Sequence, residues 1–516
     1  MFKPSRPLCK SQAMLFFHSR TRHRSWVNMT AQKYAQMLSL MLIGLLFIRF
    51  TALFIAPWGL HGDEAQYWAW SQDPAFGYFS KPPMIAWVIG ATTSIFGNAE
   101  WAVRLSAPFL HIATTVMIFL TARRFFDPHV GFWAALIYTL MPAVWLSSFI
   151  MSTDAVLLLC WAIALHAWAC LRDRGGWGRV LQLGLALGFG LLSKYAMAFM
   201  VPILCLAVLF DRPSRQALLG IRGFVVAGIA ALILTPNLLW NAANNFATIS
   251  HTAENANLGK DLFNPEEVIG FWIDQFGVFG IVPFPMLLIA IIVALKGRLN
   301  SPAKWLAALA FLPLLAITLE ALLSRANANW AVTAYVAAPI LVALWATQTA
   351  RRLAWLKWGL IAQTTLVLIV GGSAISEKSV DAIGMNNAVK RLRAWPETAE
   401  AVKTKLAKAD YAYVATDNRL VFYDLNYYDV GETELTMWSL NASPAHHASL
   451  TRALPDTDKP VLILSQHHNF EAYFREDFET LKELEPIKID LGPGKIRYLK
   501  AYRGTGYKRT SREDRT

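Results

Sequence analysis

Val180 to Phe210 reads VLQLGLALGFGLLSKYAMAFMVPILCLAVLF, an apolar run of 31 residues broken by a single charge at Lys194. As a helix rising about 1.5 Å per residue it is about 47 Å long. That is more than one crossing of a bilayer core of roughly 30 Å and less than two. The flanks decide between them. Arg172, Arg174 and Arg179 precede the run and Arg212, Arg215 and Arg222 follow it; short basic loops stay on the cytoplasmic side. The chain must therefore leave and return, so two short helices are expected to meet near Lys194, below the outer membrane surface.

Working outward, apolar runs at 34–56, 102–122, 130–151, 154–171, 180–193, 195–210, 223–240, 268–295, 304–323, 331–346 and 356–375 predict about 11 transmembrane helices. With this alternation the inside loops hold fourteen cations, from Arg123 and Arg124 to Arg351, Arg352 and Lys357. The outside holds five: Lys81, Lys194, Lys260, Arg325 and Arg104 at a helix entry. Residues 1–33 carry seven Lys or Arg and no acid, followed by an apolar run without a cleavage site. They read as a basic cytoplasmic extension before an uncleaved anchor, with Met14 and Met29 as alternative starts. An odd number of crossings then puts everything after Ile375 outside.

Composition agrees with this reading. Of 516 residues 55% are apolar and 16% charged, against roughly 45–50% and about 25% in soluble domains. The net charge of +13 sorts mainly into the cytoplasmic loops, so it calls for membrane lipids and no nucleic acid. Cys9, Cys160, Cys170 and Cys205 form no disulfide framework.

Three parts follow: the extension 1–33, a transmembrane domain 34–375, and a periplasmic domain 376–516. In the last, charge returns to every decade. Short β-rich runs (411–416, 460–465, 496–502) alternate with helix-like segments such as 387–408, which predicts a small α/β domain. It has no Gly-rich phosphate loop and no metal-ligand spacing. Its His446-His447 and His467-His468 pairs read as surface polar residues, and Trp438 with 446–452 as an exposed patch.

The loop 57–101 carries the chemistry. It contains His61-Gly-Asp-Glu-Ala-Gln-Tyr-Trp-Ala-Trp70 and Gly77-Tyr-Phe-Ser-Lys-Pro-Pro-Met84, then an apolar run to Phe96. Its aromatic content predicts interfacial helices that hold Asp63, Glu64 and Lys81 at the outer membrane surface. Asp63 can also serve as the N-cap of a helix starting at Glu64.

Asp63-Glu64 after the first span, Tyr78-Phe-Ser-Lys-Pro-Pro83, Ser152-Thr-Asp154 and Arg325-Ala-Asn-Ala-Asn-Trp330 resemble the membrane glycosyltransferases of the GT-C fold. Among these the chain is similar to bacterial relatives of the dolichyl-phosphate-mannose protein O-mannosyltransferases and to the lipid A aminoarabinose transferases. The resemblance implies a polyprenyl-phosphate-linked sugar donor, inverting transfer on the periplasmic side of the bacterial inner membrane, and an envelope acceptor: lipid A, lipopolysaccharide or another glycolipid. A glycoprotein acceptor, with protein O-glycosylation, is the alternative.

One-step inversion needs a base near the acceptor hydroxyl and cations for the departing phosphate. Asp63 is the candidate base. Glu64 could position the acceptor, bind a cation, or simply complement the helix dipole. Asp154 either caps its helix with Ser152 and Thr153 or orients a substrate. Lys81, Lys194 and Arg325 are candidate phosphate ligands, with His251 as a further contact to phosphate or metal. Arg49, inside the first span, could pair with a carboxylate or face the donor lipid.

In the aminoarabinose branch a metal-associated glutamate precedes the loop lysine; here Ser80 does, so neither zinc nor that sugar carries over. Mg²⁺ or Mn²⁺ on Asp63 or Glu64 stays open. A lipid or solute transporter is the reading from another class. It would call for midplane charges and repeat symmetry, neither of which is visible, while a non-catalytic scaffold would have no need of Asp63.

Overall fold

Residues 30–173, 175–255, 263–441, 443–467 and 469–509 are described in a computed structural model of the chain. Most of the basic extension, with Arg174, Lys260 and His468, lies outside them. The chain runs through α1 (Ala31–Ile55), α2 (Gly62–Gln72), α3 (Met84–Phe96), α4 (Ser106–Phe125), α5 (Pro128–Thr139), α6 (Thr153–Arg172), α7 (Trp177–Ser193), α8 (Met200–Phe210), α9 (Ile221–Ala243) and α10 (Ala247–Asn255). It continues through α11 (Pro265–Phe279), α12 (Pro283–Leu295), α13 (Ser301–Leu323), α14 (Ala334–Ala346) and α15 (Ala350–Ser373).

Among the described residues six helices are long and apolar enough to cross a membrane: α1, α4 with the turn before it, α6, α9, α13 and α15. Two bent pairs raise the number to 8 if each is one span. The remaining expected crossings are shorter or broken, for local reasons. The 130–151 run breaks before Pro142, which lacks a donor N–H and opens a new short helix. The 268–295 run, expected as one crossing, bends by 107° between α11 and α12, where Gly280 takes φ +117° and Pro283 opens α12. Lys194 sits in extended backbone (φ −162°) between α7 and the turn Tyr195–Phe199 that leads into α8, so the break falls where the flank charges place it.

α6 and α14 form the centre of the bundle. Ala334 to Ala338 and Ile340 to Ala343 are all 0% exposed, the all-round apolar pattern of a helix surrounded by helices. Arg49 finds no carboxylate among the described residues and does not face lipid. It is fully buried, donates to the Thr139 carbonyl at 3.3 Å and lies over the Trp145 ring.

After α15 come α16 (Trp395–Leu406), β1 (Tyr413–Thr416), α17 (Arg419–Tyr427), β2 (Glu434–Met437), α18 (His447–Thr451), β3 (Val461–Ser465), α19 (Glu471–Asp477), β4 (Phe478–Asp490) and β5 (Ile496–Tyr507). The sheet order is β2-β1-β3-β5-β4, with β1 parallel to both neighbours and β5 antiparallel to β3 and β4. α16 and α17 cover one face and α19 the other. Trp438 is not an exposed patch: it is 1% exposed and donates to Asp477 at 2.8 Å. His446 and His447 are half-buried. His446 caps α18, and His447 packs edge-on against Trp70 and Tyr78 of the loop, so this domain is docked on the loop rather than tethered beside it. The approach is close at Gly59, where a Cβ would stand 2.5 Å from the Tyr428 hydroxyl.

Candidate active site

The site begins with the start of α2. Its N-cap is His61, not Asp63: His61 Nδ1 accepts the Asp63 N–H at 3.2 Å while Glu64 Oε2 accepts the His61 N–H at 3.0 Å, a reciprocal capping box. Glu64 is then drawn inward. Arg104 donates to its two oxygens at 2.9 and 2.7 Å, and Met151 N–H donates to Oε1 at 2.9 Å. With side chains 7% and 1% exposed, this pair is closed, and Arg104 also binds the carbonyls of Trp58 and Gly59. Glu64 therefore holds the loop in place and has no oxygen left for acceptor or cation.

Its neighbour faces the other way. Asp63 remains 43% exposed, and its Oδ1 accepts from Arg419 Nη1 at 2.9 Å; the same nitrogen donates to Gln66. Arg419 belongs to the C-terminal domain, as the first residue of α17. One turn beyond Asp63, the buried Tyr67 hydroxyl stands in the field of Asp63, Arg419 and Asp154, and burial pushes its pKa above the ordinary value.

From the membrane side, Asp154 in the first turn of α6 accepts from Lys194 at 2.8 Å and from Asn329 at 2.7 Å. Ser152 makes no side-chain cap, so the first-turn carboxylate is committed across the bundle rather than to its own helix. Of the Arg325–Trp330 motif it is Asn329 that reaches this point. Arg325 is exposed, and nothing among the described residues pairs with it.

Lys81 stands within electrostatic reach of both Asp154 and Asp63. Burial, with Lys194 nearby, pulls its pKa below the usual lysine range, against the opposing pull of Asp154 and Asp63. Unlike Lys194 and Arg419, it is in no ion pair among the described residues. His251 packs edge-on against Phe79; burial, then Lys81 and Arg419, push it down to about 4. These surroundings favour its neutral form. Tyr195, Asn237 and Thr248 fix the loop from the opposite side, through the Phe76 and Tyr78 carbonyls.

Sequence reasoning missed Gln66, Tyr67, Asn329 and Arg419. Gln66 and Tyr67 follow Asp63 at helical spacing on one face, a readable signal. Arg419 lies 356 residues from Asp63, and nothing local marks it.

A carboxylate beside cations, with one ammonium unpaired, can accept a proton from a hydroxyl and hold a departing oxyanion. No cluster of three or more His, Cys, Asp or Glu side chains suited to a metal occurs among the described residues. Enclosed by Arg104, Glu64 has no oxygen free for a divalent cation.

A profile of the family dolichyl-phosphate-mannose-protein mannosyltransferase matches residues 80–240. The chain is 41% identical over 298 residues to the lipid A galacturonosyltransferase RgtD of Rhizobium johnstonii, covering 57% of this chain and 61% of that protein. It is 28% identical over 213 residues to the undecaprenyl phosphate-alpha-4-amino-4-deoxy-L-arabinose arabinosyl transferase 1 of Pseudomonas fluorescens, covering 37% and 39%. The matches thus span about three fifths and two fifths of these relatives' lengths. In structure it is similar to ArnT from Cupriavidus metallidurans in the apo state, with TM-score 0.61 at 13% identity over 91% of this chain and 98% of that one. The same protein bound to undecaprenyl phosphate gives 0.60. The chain has a GT-C membrane fold with a small C-terminal sheet domain.

Proposed function

Given that fold, we propose that the chain is an inverting glycosyltransferase that moves a sugar from undecaprenyl phosphate to lipid A or another part of lipopolysaccharide. It would be a multi-pass protein of a bacterial inner membrane, with the C-terminal domain periplasmic. The observation that carries this reading is Lys81: a largely buried ammonium in no ion pair among the described residues, within electrostatic reach of Asp154–Lys194 and Asp63–Arg419. Such a position suits one lipid phosphate. The identity with a lipid A galacturonosyltransferase supports a hexuronosyl sugar over a pentosyl one.

In this reading the acceptor oxygen attacks the anomeric carbon on the face opposite the phosphate, and Asp63 takes the hydroxyl proton. The bond from that carbon to the phosphate oxygen breaks, its electron pair leaves on the phosphate, and Lys81 with Lys194 holds the charge. Asp154, itself held by Asn329, orients Lys194. Glu64 and Arg104 are positioning residues.

The test is purified protein in vesicles with labelled undecaprenyl-phosphate galacturonate and lipid A. Label should move to lipid A with inversion at the anomeric carbon, one undecaprenyl phosphate being released per sugar. Failure to transfer from any undecaprenyl-phosphate sugar, or retained configuration, would overturn the reading. Label on protein alone would favour the O-glycosylation alternative suggested by the mannosyltransferase profile.

A further inference from the structure

Arg419 spends only one of its three nitrogens on protein. Nη1 donates to both Asp63 Oδ1 and Gln66 Oε1, while Nε and Nη2 have no partner among the described residues. The side chain is 34% exposed, so this second edge of the guanidinium is accessible beside Asp63. It presents two parallel N–H groups, the geometry that binds a carboxylate or phosphate at two points. The first amides of α17 are not the donors at issue, since Asn418 Oδ1 takes those of Leu420 and Val421 at 2.9 and 3.2 Å.

The topology supports the same place independently. β1 is followed through α17 by β2 on one side, and the chain then returns to β3 on the other side of β1. Connections diverge at the C-terminal ends of β1 and β3, where open α/β sheets bind ligands. Asp417 and Ser465 line that end in a hydrogen bond with each other, and Arg419 extends from it to Asp63. The sheet's ligand-binding end and the proposed base therefore meet through one side chain.

We propose that the free edge of Arg419 binds an oxyanion of the substrate next to Asp63: a carboxylate on the transferred sugar or a phosphate on the acceptor. The inference rests on the glycosyltransferase reading and adds to it a substrate-binding residue supplied by the C-terminal domain.

The experiment uses the full chain in nanodiscs with four substrate pairs. Donors are undecaprenyl-phosphate galacturonate and undecaprenyl-phosphate galactose; acceptors are bisphosphorylated and dephosphorylated lipid A. Arg419→Gln should lower kcat alike in every pair, since it removes the partner of Asp63, and in addition raise KM roughly 10- to 100-fold only for whichever substrate carries the recognised oxyanion. A loss that follows the galacturonate names the sugar carboxylate, and one that follows the phosphorylated acceptor names the phosphate. Arg419→Lys, which keeps a charge for Asp63 but not the fork, should restore kcat without restoring the discrimination. If Arg419→Gln does not fold, Arg419→Lys carries the same comparison against wild type. A rise in KM that is equal in all four pairs, or absent from all of them, overturns the inference. A wild-type protein that transfers from no undecaprenyl-phosphate sugar overturns the glycosyltransferase reading, and this inference falls with it.

Discussion

At one end of α6, Arg172 reaches Asp211 through two nitrogens at 3.0 Å each, and the Ser214 amide and hydroxyl take up the same carboxylate. At the other end of the same helix, Asp154 binds Lys194 and Asn329 with an unpaired lysine nearby. The first pair is closed, its side chains 6% and 5% exposed; the second is half open, at 20% and 10%. The contrast recurs within two residues, where Glu64 is enclosed by Arg104 and Asp63 remains reachable. A buried pair whose hydrogen bonds are all made inside the protein joins helices. A pair that keeps a reachable edge, beside a cation in no ion pair among the described residues, has capacity left for a substrate.

Four substitutions can break or sharpen that division. Asp63→Asn should have the largest effect, lowering turnover about 10²- to 10⁴-fold while binding of undecaprenyl phosphate is retained; normal turnover by the purified variant would end the base assignment. Arg172→Ala should cost about 3–5 kcal/mol of stability by stranding Asp211, read as a lower unfolding temperature, with unchanged kcat in the protein that remains folded. A specific loss of kcat there would mean that the closed end is not merely structural. Lys81→Ala should weaken undecaprenyl-phosphate binding by about 1.5–3 kcal/mol with little change in unfolding temperature, and the opposite pattern would place Lys81 among the closed charges.

The smallest effect concerns Asp424, 1% exposed under α2. Burial, then Asp63 and Glu64, raise its pKa well above the carboxylate range, against the pull of Arg497. A folded-state value above the unfolded one means stability is full below about pH 4 and is lost as pH rises towards the folded value. Asp424→Asn should therefore stabilise the protein by about 1 kcal/mol at pH 8 and by much less near pH 4. Equal unfolding temperatures at both pH values would count against a raised pKa in the folded protein.

Length and flank charge were enough to locate the break at Lys194, because helix rise and bilayer thickness leave few solutions. β1, β3 and β5 were readable as β-rich runs; β4 was not, since it carries Glu479, Lys482, Glu483 and Glu485, all exposed. The loop with Asp63 and Lys81 stood out by its charge in an apolar setting. Its partners did not. Arg104 looked like a helix-entry cation, and only packing shows it closing Glu64. Trp438 looked like an exposed aromatic because the helix that covers it, α19, lies elsewhere in the sequence. Arg419 depends on a domain docking onto a loop, a long-range event with no local pattern.

The break at Lys194 has a consequence for the surrounding lipid. α7 has 17 residues, and the 5-residue turn runs straight into the 11 residues of α8, so each arm is about 26 Å long, short of a hydrocarbon core of roughly 30 Å. A membrane meets such mismatch by thinning locally, which lowers the headgroup plane towards Lys194. In the proposed function a donor phosphate then descends less far to reach it. Acyl-chain length thus becomes a control on this protein that no side chain encodes: turnover should be faster in vesicles of short-chain lipid than in long-chain ones of the same headgroup.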